Sequence, residues 1–243
     1  MPDRKGFTLI ELLVVVAVIV LLLSLMSPTF RRVFALGDRD RCMFNVHQLS
    51  IAWTIYPVNN NGTLVGGWTG GGGWALYGDE TPANSARSAL ITNGALYPYT
   101  QNVNIYRCPA DPVNHIRSYS ITSLMNGNDW GSLPYVSRYF GINDPAGQMV
   151  FVEEHDCRAW SNMGSWAQDP KYWNTNHWVD YVANFHDGGD HVGFADGHSE
   201  YWMWQDPKTL QASANNQFYY PDNGNIDLAR IRQAFYNGIP GAY

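Results

Sequence analysis

Charge is scarce in this sequence of 243 residues. Charged side chains make up 15% of it, well below the quarter that is usual in soluble proteins. The 15 Lys and Arg residues are outnumbered by 21 Asp and Glu residues, so the formal net charge is −6. Because nucleic-acid binding needs a basic patch that this sequence lacks, we exclude a nucleic-acid partner. Aromatic residues reach 14% and glycine occurs 23 times, so the chain does not have a disordered composition.

Catalytic sequence motifs are also lacking. The sequence contains neither the Gly-x-Ser-x-Gly motif of hydrolases nor the His-Glu-x-x-His motif of metalloproteases. The glycine-rich run at 66–74 resembles a phosphate-binding loop in composition, but it lacks a lysine and a Ser/Thr in the right register. We therefore predict that the protein is not an enzyme.

Long apolar runs are absent but for one near the N-terminus. Residues 12–23 contain no polar side chain, and residues 7–26 contain a single charge, at Glu11. Twenty helical residues rise about 30 Å, the thickness of the hydrocarbon core of a bilayer. No small-residue cleavage site follows the run, which argues against an ordinary signal peptide. We predict a transmembrane helix over about 7–28. The basic residues at 4 and 5 would hold the N-terminus in the cytoplasm and place the rest of the chain outside it.

The residues before and inside this run resemble a known signal. Lys-Gly-Phe-Thr-Leu-Ile-Glu, residues 5–11, is similar to the N-terminal signal of type IV pilins and type II secretion pseudopilins. In that family a prepilin peptidase cuts after the glycine and methylates the new N-terminus. The resemblance implies that residues 1–6 are a leader, that the cut falls between Gly6 and Phe7, and that Glu11 pairs with the terminal amine of a neighbouring subunit during assembly.

The predicted helix continues beyond the apolar run to about residue 56. Apolar residues recur at spacings of three and four among charged ones, which indicates an amphipathic helix whose apolar face packs on a head domain. Pro28 is expected to distort this helix without ending it. Pro57 and the Asn-rich run after it are expected to end it. We predict one helix over 7–56 and a globular head over 57–243.

Cysteine occurs three times, at Cys42, Cys108 and Cys157, and this odd number leaves one thiol unpaired in any case. A bridge between Cys42 and Cys108 would tie the helix to the head. It would close a loop of more than sixty residues and stabilise the fold by about 4 kcal/mol in the entropy model. The alternative is three buried free thiols.

A second informative segment lies near the C-terminus, where we predict a hairpin within 186–204. Residues alternate as in a strand from 191 to 195 and again from 198 to 204. Between them, Asp196 opens a tight turn and Gly197 accepts a positive φ. The nine residues between His186 and Asp196-Gly197 also resemble the H-X9-DG segment of a large group of prepilin-like proteins, abundant in planctomycete-type bacteria.

Acidic and histidine side chains are dense around this hairpin, and three roles for them stay open. In the first, His186 and Asp196 share one pocket that Glu153 faces, and they lock the hairpin onto a strand predicted at 148–153. In the second, Glu153, His186, Asp190 and Asp196 are candidate ligands of calcium or another divalent metal. The third, a metal-dependent enzyme, depends on this cluster alone.

We predict an α+β fold in which a long N-terminal helix packs its second half on an antiparallel sheet with large aromatic and glycine-rich loops. The predicted function is that of a structural subunit of a type IV pilus or a type II secretion-like pseudopilus, assembled with copies of itself or with other pilins. The expected location is the inner membrane, with the head in the periplasm or on a surface filament. The alternative is a membrane-anchored surface protein whose aromatic loops bind glycan or another ligand, because the sequence holds ten tryptophans.

Overall fold

Helices and strands are mixed along the chain, which confirms the predicted α+β class. The computed structural model describes residues 6–76, 85–113, 115–127, 135–154, 164–168, 177–215 and 220–240, without the side chains of 25–29, 31, 85, 86, 214, 215, 220 and 221. The helices are α1 (Leu9–Asn59), α2 (Ser85–Thr92), α3 (Tyr97–Thr100), α4 (Pro207–Asn215) and α5 (Ile226–Tyr236). The strands are β1 (Gly66–Thr69), β2 (Gly73–Ala75), β3 (Tyr119–Thr122), β4 (Met149–Glu153), β5 (Ser165–Trp166), β6 (His177–Trp178), β7 (Gly189–Phe194), β8 (Ser199–Met203) and β9 (Tyr220–Pro221). Short 3₁₀ turns occupy Val103–Tyr106 and Tyr139–Gly141.

Helix α1 runs unbroken over 51 residues, close to the predicted 7–56. At its start, the backbone N–H of Glu11 donates to the Thr8 hydroxyl at 3.3 Å. The Glu11 carboxylate accepts in return from the backbone N–H of Thr8 at 2.8 Å and from its hydroxyl at 2.6 Å. This reciprocal pair is a capping box, which satisfies donors that the first turn of a helix leaves unpaired. At the other end, Pro57 lies inside the last turn and the helix ends at Asn59, within the Asn-rich run expected to end it and three residues beyond the predicted bound.

The second half of α1 packs on the head through a single face. Cys42, Val46, Leu49 and Trp53 are fully buried and lie three or four residues apart, so their side chains form one stripe along the helix. The stripe rests on strands β4, β7 and β8 and on the 3₁₀ turn before Cys108. The predicted docking of an amphipathic half-helix on a sheet is therefore confirmed.

The first half of α1 makes no such contact. The large apolar side chains that the structure describes between Phe7 and Leu23 are each between 47% and 84% exposed. Among the described residues, no helix meets the length and hydropathy that a membrane span needs. The transmembrane assignment of 7–28 therefore stays a prediction.

The central sheet has five strands in the order β5-β3-β4-β7-β8. The pairs β3–β4, β4–β7 and β7–β8 are antiparallel, whereas β5 pairs parallel with β3. The predicted strand at 148–153 is β4, a buried inner strand. The predicted hairpin is β7–β8, whose last paired residues are Gly193 and Ser199 and whose turn carries Gly197 at φ +100°.

Gly193 lies where α1 approaches β7 most closely, and we expect its replacement by alanine to destabilise the head. The added methyl group would collide with Ser50 Oγ and would lie 2.9 Å from Val46 Cγ1 and 3.2 Å from Phe151 Cβ. Because helix and sheet confine it from two sides, Gly193→Ala should lower the free energy of unfolding by about 1–3 kcal/mol in denaturant titrations. The matched variant Gly71→Ala faces open space and should change that free energy by less than about 0.5 kcal/mol. Equal stability of the two variants would contradict this close packing.

Candidate functional site

A cluster of ionisable side chains lies between α1 and the central sheet. Helix α1 contributes Cys42, β4 contributes Glu153 at its end, the loop before β7 contributes His186, and β7 contributes His191. Their potential metal-binding atoms all lie within 4.8 Å of one another, and all four side chains are buried. The cluster therefore joins the docked helix to the two inner strands on which it rests.

Glu153 lies at the centre of this cluster, and both of its carboxylate oxygens are used. Its Oε1 accepts a hydrogen bond from the Cys42 thiol and lies 3.1 Å from Nε2 of His186. Its Oε2 accepts from the backbone N–H of His191 at 2.9 Å and lies 3.2 Å from Nδ1 of the same residue. A buried carboxylate with this many partners is held in one orientation.

Two further groups complete the wall of the cluster. The Tyr119 hydroxyl, from β3, lies 2.9 Å from Cys42 Sγ. The sulfur of Cys108 lies 3.2 Å from Nε2 of His186. Both Cys42 and Cys108 are buried free thiols. Of the two alternatives, the disulfide is therefore not formed in this structure, where the Cys42 thiol donates to Glu153 instead. Cys157 lies outside the described residues.

The charges of the cluster follow from burial and from these contacts. Burial would raise the pKa of Glu153, but its interactions with Asp190, His186 and His191 hold that pKa well below the usual range of a carboxyl. Burial would lower the pKa of His186, but its contacts with Cys108 and Glu153 raise that pKa to about 10. Without a metal, a carboxylate at Glu153 therefore faces an imidazolium at His186.

The other acidic groups of the cluster, Asp190 and the Cys42 thiol, have raised pKa values. Burial and the adjacent charge of Glu153 raise the pKa of Asp190 well above its usual range. Burial, a hydrogen bond with Cys108 and the charge of Glu153 raise the pKa of the Cys42 thiol as well. Burial and the charge of Glu153 thus disfavour a second negative group in the cluster, as expected of a buried site.

The structure brings together only some of the residues that the sequence predicted for this pocket. Glu153 and His186 are in direct contact, and Asp190 lies beside them. The prediction that Asp196 shares their pocket is wrong. Its side chain is 38% exposed in the hairpin turn, where Oδ1 lies 2.5 Å from Nδ1 of His198. The turn is at one end of β7 and the loop with His186 is at the other, so the length of the strand separates them.

Two members of the cluster, Cys42 and His191, are residues that the sequence analysis did not assign to it. One pattern in the hairpin could have indicated them. His191 shares its strand face with Gly193 and Ala195, and a face of small residues is where a helix can approach closely. That face is the one on which α1 lies, and Cys42 belongs to the buried stripe of α1.

The tryptophans serve mainly in packing. Six of the seven that the structure describes are buried: Trp53, Trp74, Trp166, Trp178, Trp202 and Trp204. Only Trp68 among those seven is exposed, at 38%. The described tryptophans therefore offer little surface for a glycan, and the other exposed aromatics of the described head are Tyr135, at 49%, and Phe140, at 89%.

Comparison with known proteins bears on the N-terminus of the chain. Residues 1–27 match the family model of the prokaryotic N-terminal methylation motif. No curated protein and no solved structure matches the chain significantly. The match ends before the head begins, so the resemblance of 186–198 to the H-X9-DG segment stays a resemblance. The chain therefore carries the prokaryotic N-terminal methylation motif at the start of a long helix that leads into an α+β head, which is consistent with a prepilin-type protein.

Proposed function

We propose that the protein is a structural subunit of a type IV pilus or a type II secretion-like pseudopilus, with no enzymatic role. The observation that carries the proposal is the exposed apolar half of α1, which continues without a break into the docked half. Exposed apolar surface of this extent marks a membrane or protein contact, because each buried Å² of it contributes roughly 25 cal/mol. A filament core made of many such helices covers the surface that one chain leaves open.

The same helix has two environments in this proposal. Before assembly, residues 7–28 lie in the inner membrane and the head lies outside the cytoplasm. During assembly, the helix moves from lipid into the filament core, so that lipid contacts are exchanged for contacts with copies of the chain or with other pilins. Glu11 guides this step, because its carboxylate pairs with the terminal amine of a neighbouring subunit and a buried charge without a partner is costly.

The first test of the proposal concerns the N-terminus. Cleavage after Gly6 exposes Phe7, so mass spectrometry of the native protein should find an N-methylated chain that begins at Phe7. Gly6→Leu should leave the chain uncut, since the peptidase needs a small residue at this position. A native wild-type chain that begins at Met1, or beyond residue 23, would contradict the assignment.

The second test separates a filament subunit from a surface binding protein. Sheared surface or periplasmic material, examined by electron microscopy after labelling of the head, should contain filaments that carry the protein. The alternative of a glycan-binding surface protein instead expects single anchored chains. Labelled single chains without filaments, in cells that do cut the leader, would contradict the proposed function.

A further inference from the structure

We propose that Cys42, Glu153, His186 and His191 bind a structural zinc-class metal ion, which joins α1 to the central sheet. The proposal rests on the geometry of these side chains and is independent of filament formation. It differs from the set predicted from the sequence, because two of the ligands are new and Asp196 is not among them.

The spacing of the ligand atoms suits a tetrahedral ion. Bonds of about 2.0–2.3 Å to zinc place neighbouring ligand atoms about 3.3–3.8 Å apart. The ring nitrogens of His186 and His191 lie 3.1 and 3.2 Å from the two oxygens of Glu153, and every pair within the four-residue set lies within 4.8 Å. Small shifts of side chains therefore convert this hydrogen-bonded cluster into a coordination shell.

The donor types select the kind of ion. One thiol, two imidazoles and one carboxylate are donors that zinc accepts, whereas calcium needs six to eight oxygen ligands. Four protein ligands fill a tetrahedral shell and leave no open position for a substrate, which is the arrangement of structural zinc sites. Zinc therefore fits these residues better than the calcium considered from the sequence.

Charge balance also favours a divalent ion. A dication bound to the Cys42 thiolate, the Glu153 carboxylate and two neutral imidazoles forms a complex with no net charge, which suits a buried position. Binding releases the proton of the Cys42 thiol and any proton on the ring nitrogens that coordinate the ion, and no atom changes its oxidation state. The sulfur of Cys108, 3.2 Å from Nε2 of His186, lies at the edge of the shell.

Each imidazole brings only one of its ring nitrogens to the cluster. The outer ring nitrogens, Nδ1 of His186 and Nε2 of His191, are buried and have no hydrogen-bond partner among the described residues. The two imidazole rings pack at a centroid distance of 4.7 Å around one carboxylate, and they do not form a hydrogen bond with each other. In the proposed site, the inner nitrogens, Nε2 of His186 and Nδ1 of His191, bind the same ion.

The experiment uses the full chain in detergent, purified without a histidine tag, reductant or chelator. Metal analysis should find about one zinc ion per chain, or about one after dialysis against zinc. Chelation should lower the Tm by on the order of 10 °C, because a ligand that binds only the folded state stabilises it by mass action. Cys42→Ser and His191→Ala should lose both the metal and the response to chelator. His198→Ala, an exposed histidine of the same hairpin, should keep both.

A measurement on the wild-type chain guards against variants that fail to fold. Cobalt in place of zinc should give the strong visible bands of a tetrahedral site and a thiolate-to-metal charge-transfer band in the near ultraviolet. Cys42 should resist alkylation until a chelator is added. A wild-type chain that is folded but takes up no zinc or cobalt would overturn the proposal, and so would a Cys42–Cys108 disulfide in the native protein.

Discussion

Glu153→Ala is expected to lower the free energy of unfolding of the head by about 3–5 kcal/mol, a large part of the stability of most domains. Glu153 is fully buried and accepts hydrogen bonds from Cys42 and from the backbone of His191, and its carboxylate faces His186. Without it the positive charge of His186 has no counter-charge and the donors around it have no acceptor. Loss of this one carboxylate therefore removes contacts of β4 with α1, with the loop before β7 and with β7 itself.

The measurement is denaturant unfolding of the full chain in detergent, with chelator present for every variant so that any metal contribution is removed. Glu153→Gln keeps the size of the side chain but replaces one acceptor oxygen by a donor, so it should also destabilise the head, by less than alanine does. Asp196→Ala is the matched control, a carboxylate in an exposed turn that accepts from the backbone N–H of His198, and should change the free energy by about 1 kcal/mol or less. If Asp196→Ala were as harmful as Glu153→Ala, the assignment of the central role to Glu153 would be wrong.

The parts of the fold that the sequence predicts well depend on local patterns. Helix α1 follows from the spacing of its apolar residues, and the hairpin follows from alternation on both sides of Asp196-Gly197. Both signals lie within short stretches of chain. The capping box at Thr8 is equally local, since Thr-x-x-Glu before an apolar run predicts it.

The cluster could be predicted only in part because it depends on the packing of distant segments. Cys42 and Glu153 are 111 positions apart, and their contact follows from where α1 rests on the sheet. Alternation in β7 shows which residues share a face, but the sequence does not show which residue of the helix lies opposite His191. The fixed spacing of His186 and Asp196 suggested a shared pocket, yet a strand of the hairpin separates the loop from the turn.

Glu11→Gln is expected to reduce incorporation into filaments by at least about tenfold, because a neighbour's terminal amine would lose its counter-charge inside the filament core. The structure gives Glu11 a second role, in the capping box with Thr8, and the choice of glutamine separates the two. Glutamine also forms capping boxes, so Glu11→Gln keeps the helix start and removes only the charge. Glu11→Ala removes both and should assemble no better than Glu11→Gln.

Thr8→Val completes the set, because it removes the hydroxyl that accepts from Glu11 N and keeps the carboxylate. The lost cap costs about 1 kcal/mol at the helix start, but the pairing charge stays, so filament yield should remain within a few-fold of wild type. The filament yields can be compared only if the same fraction of each variant is cleaved after Gly6, which mass spectrometry measures. If Glu11→Gln assembles like wild type while Thr8→Val and Glu11→Ala fail, then Glu11 acts in assembly through its capping hydrogen bonds and the pairing of charges between subunits is wrong.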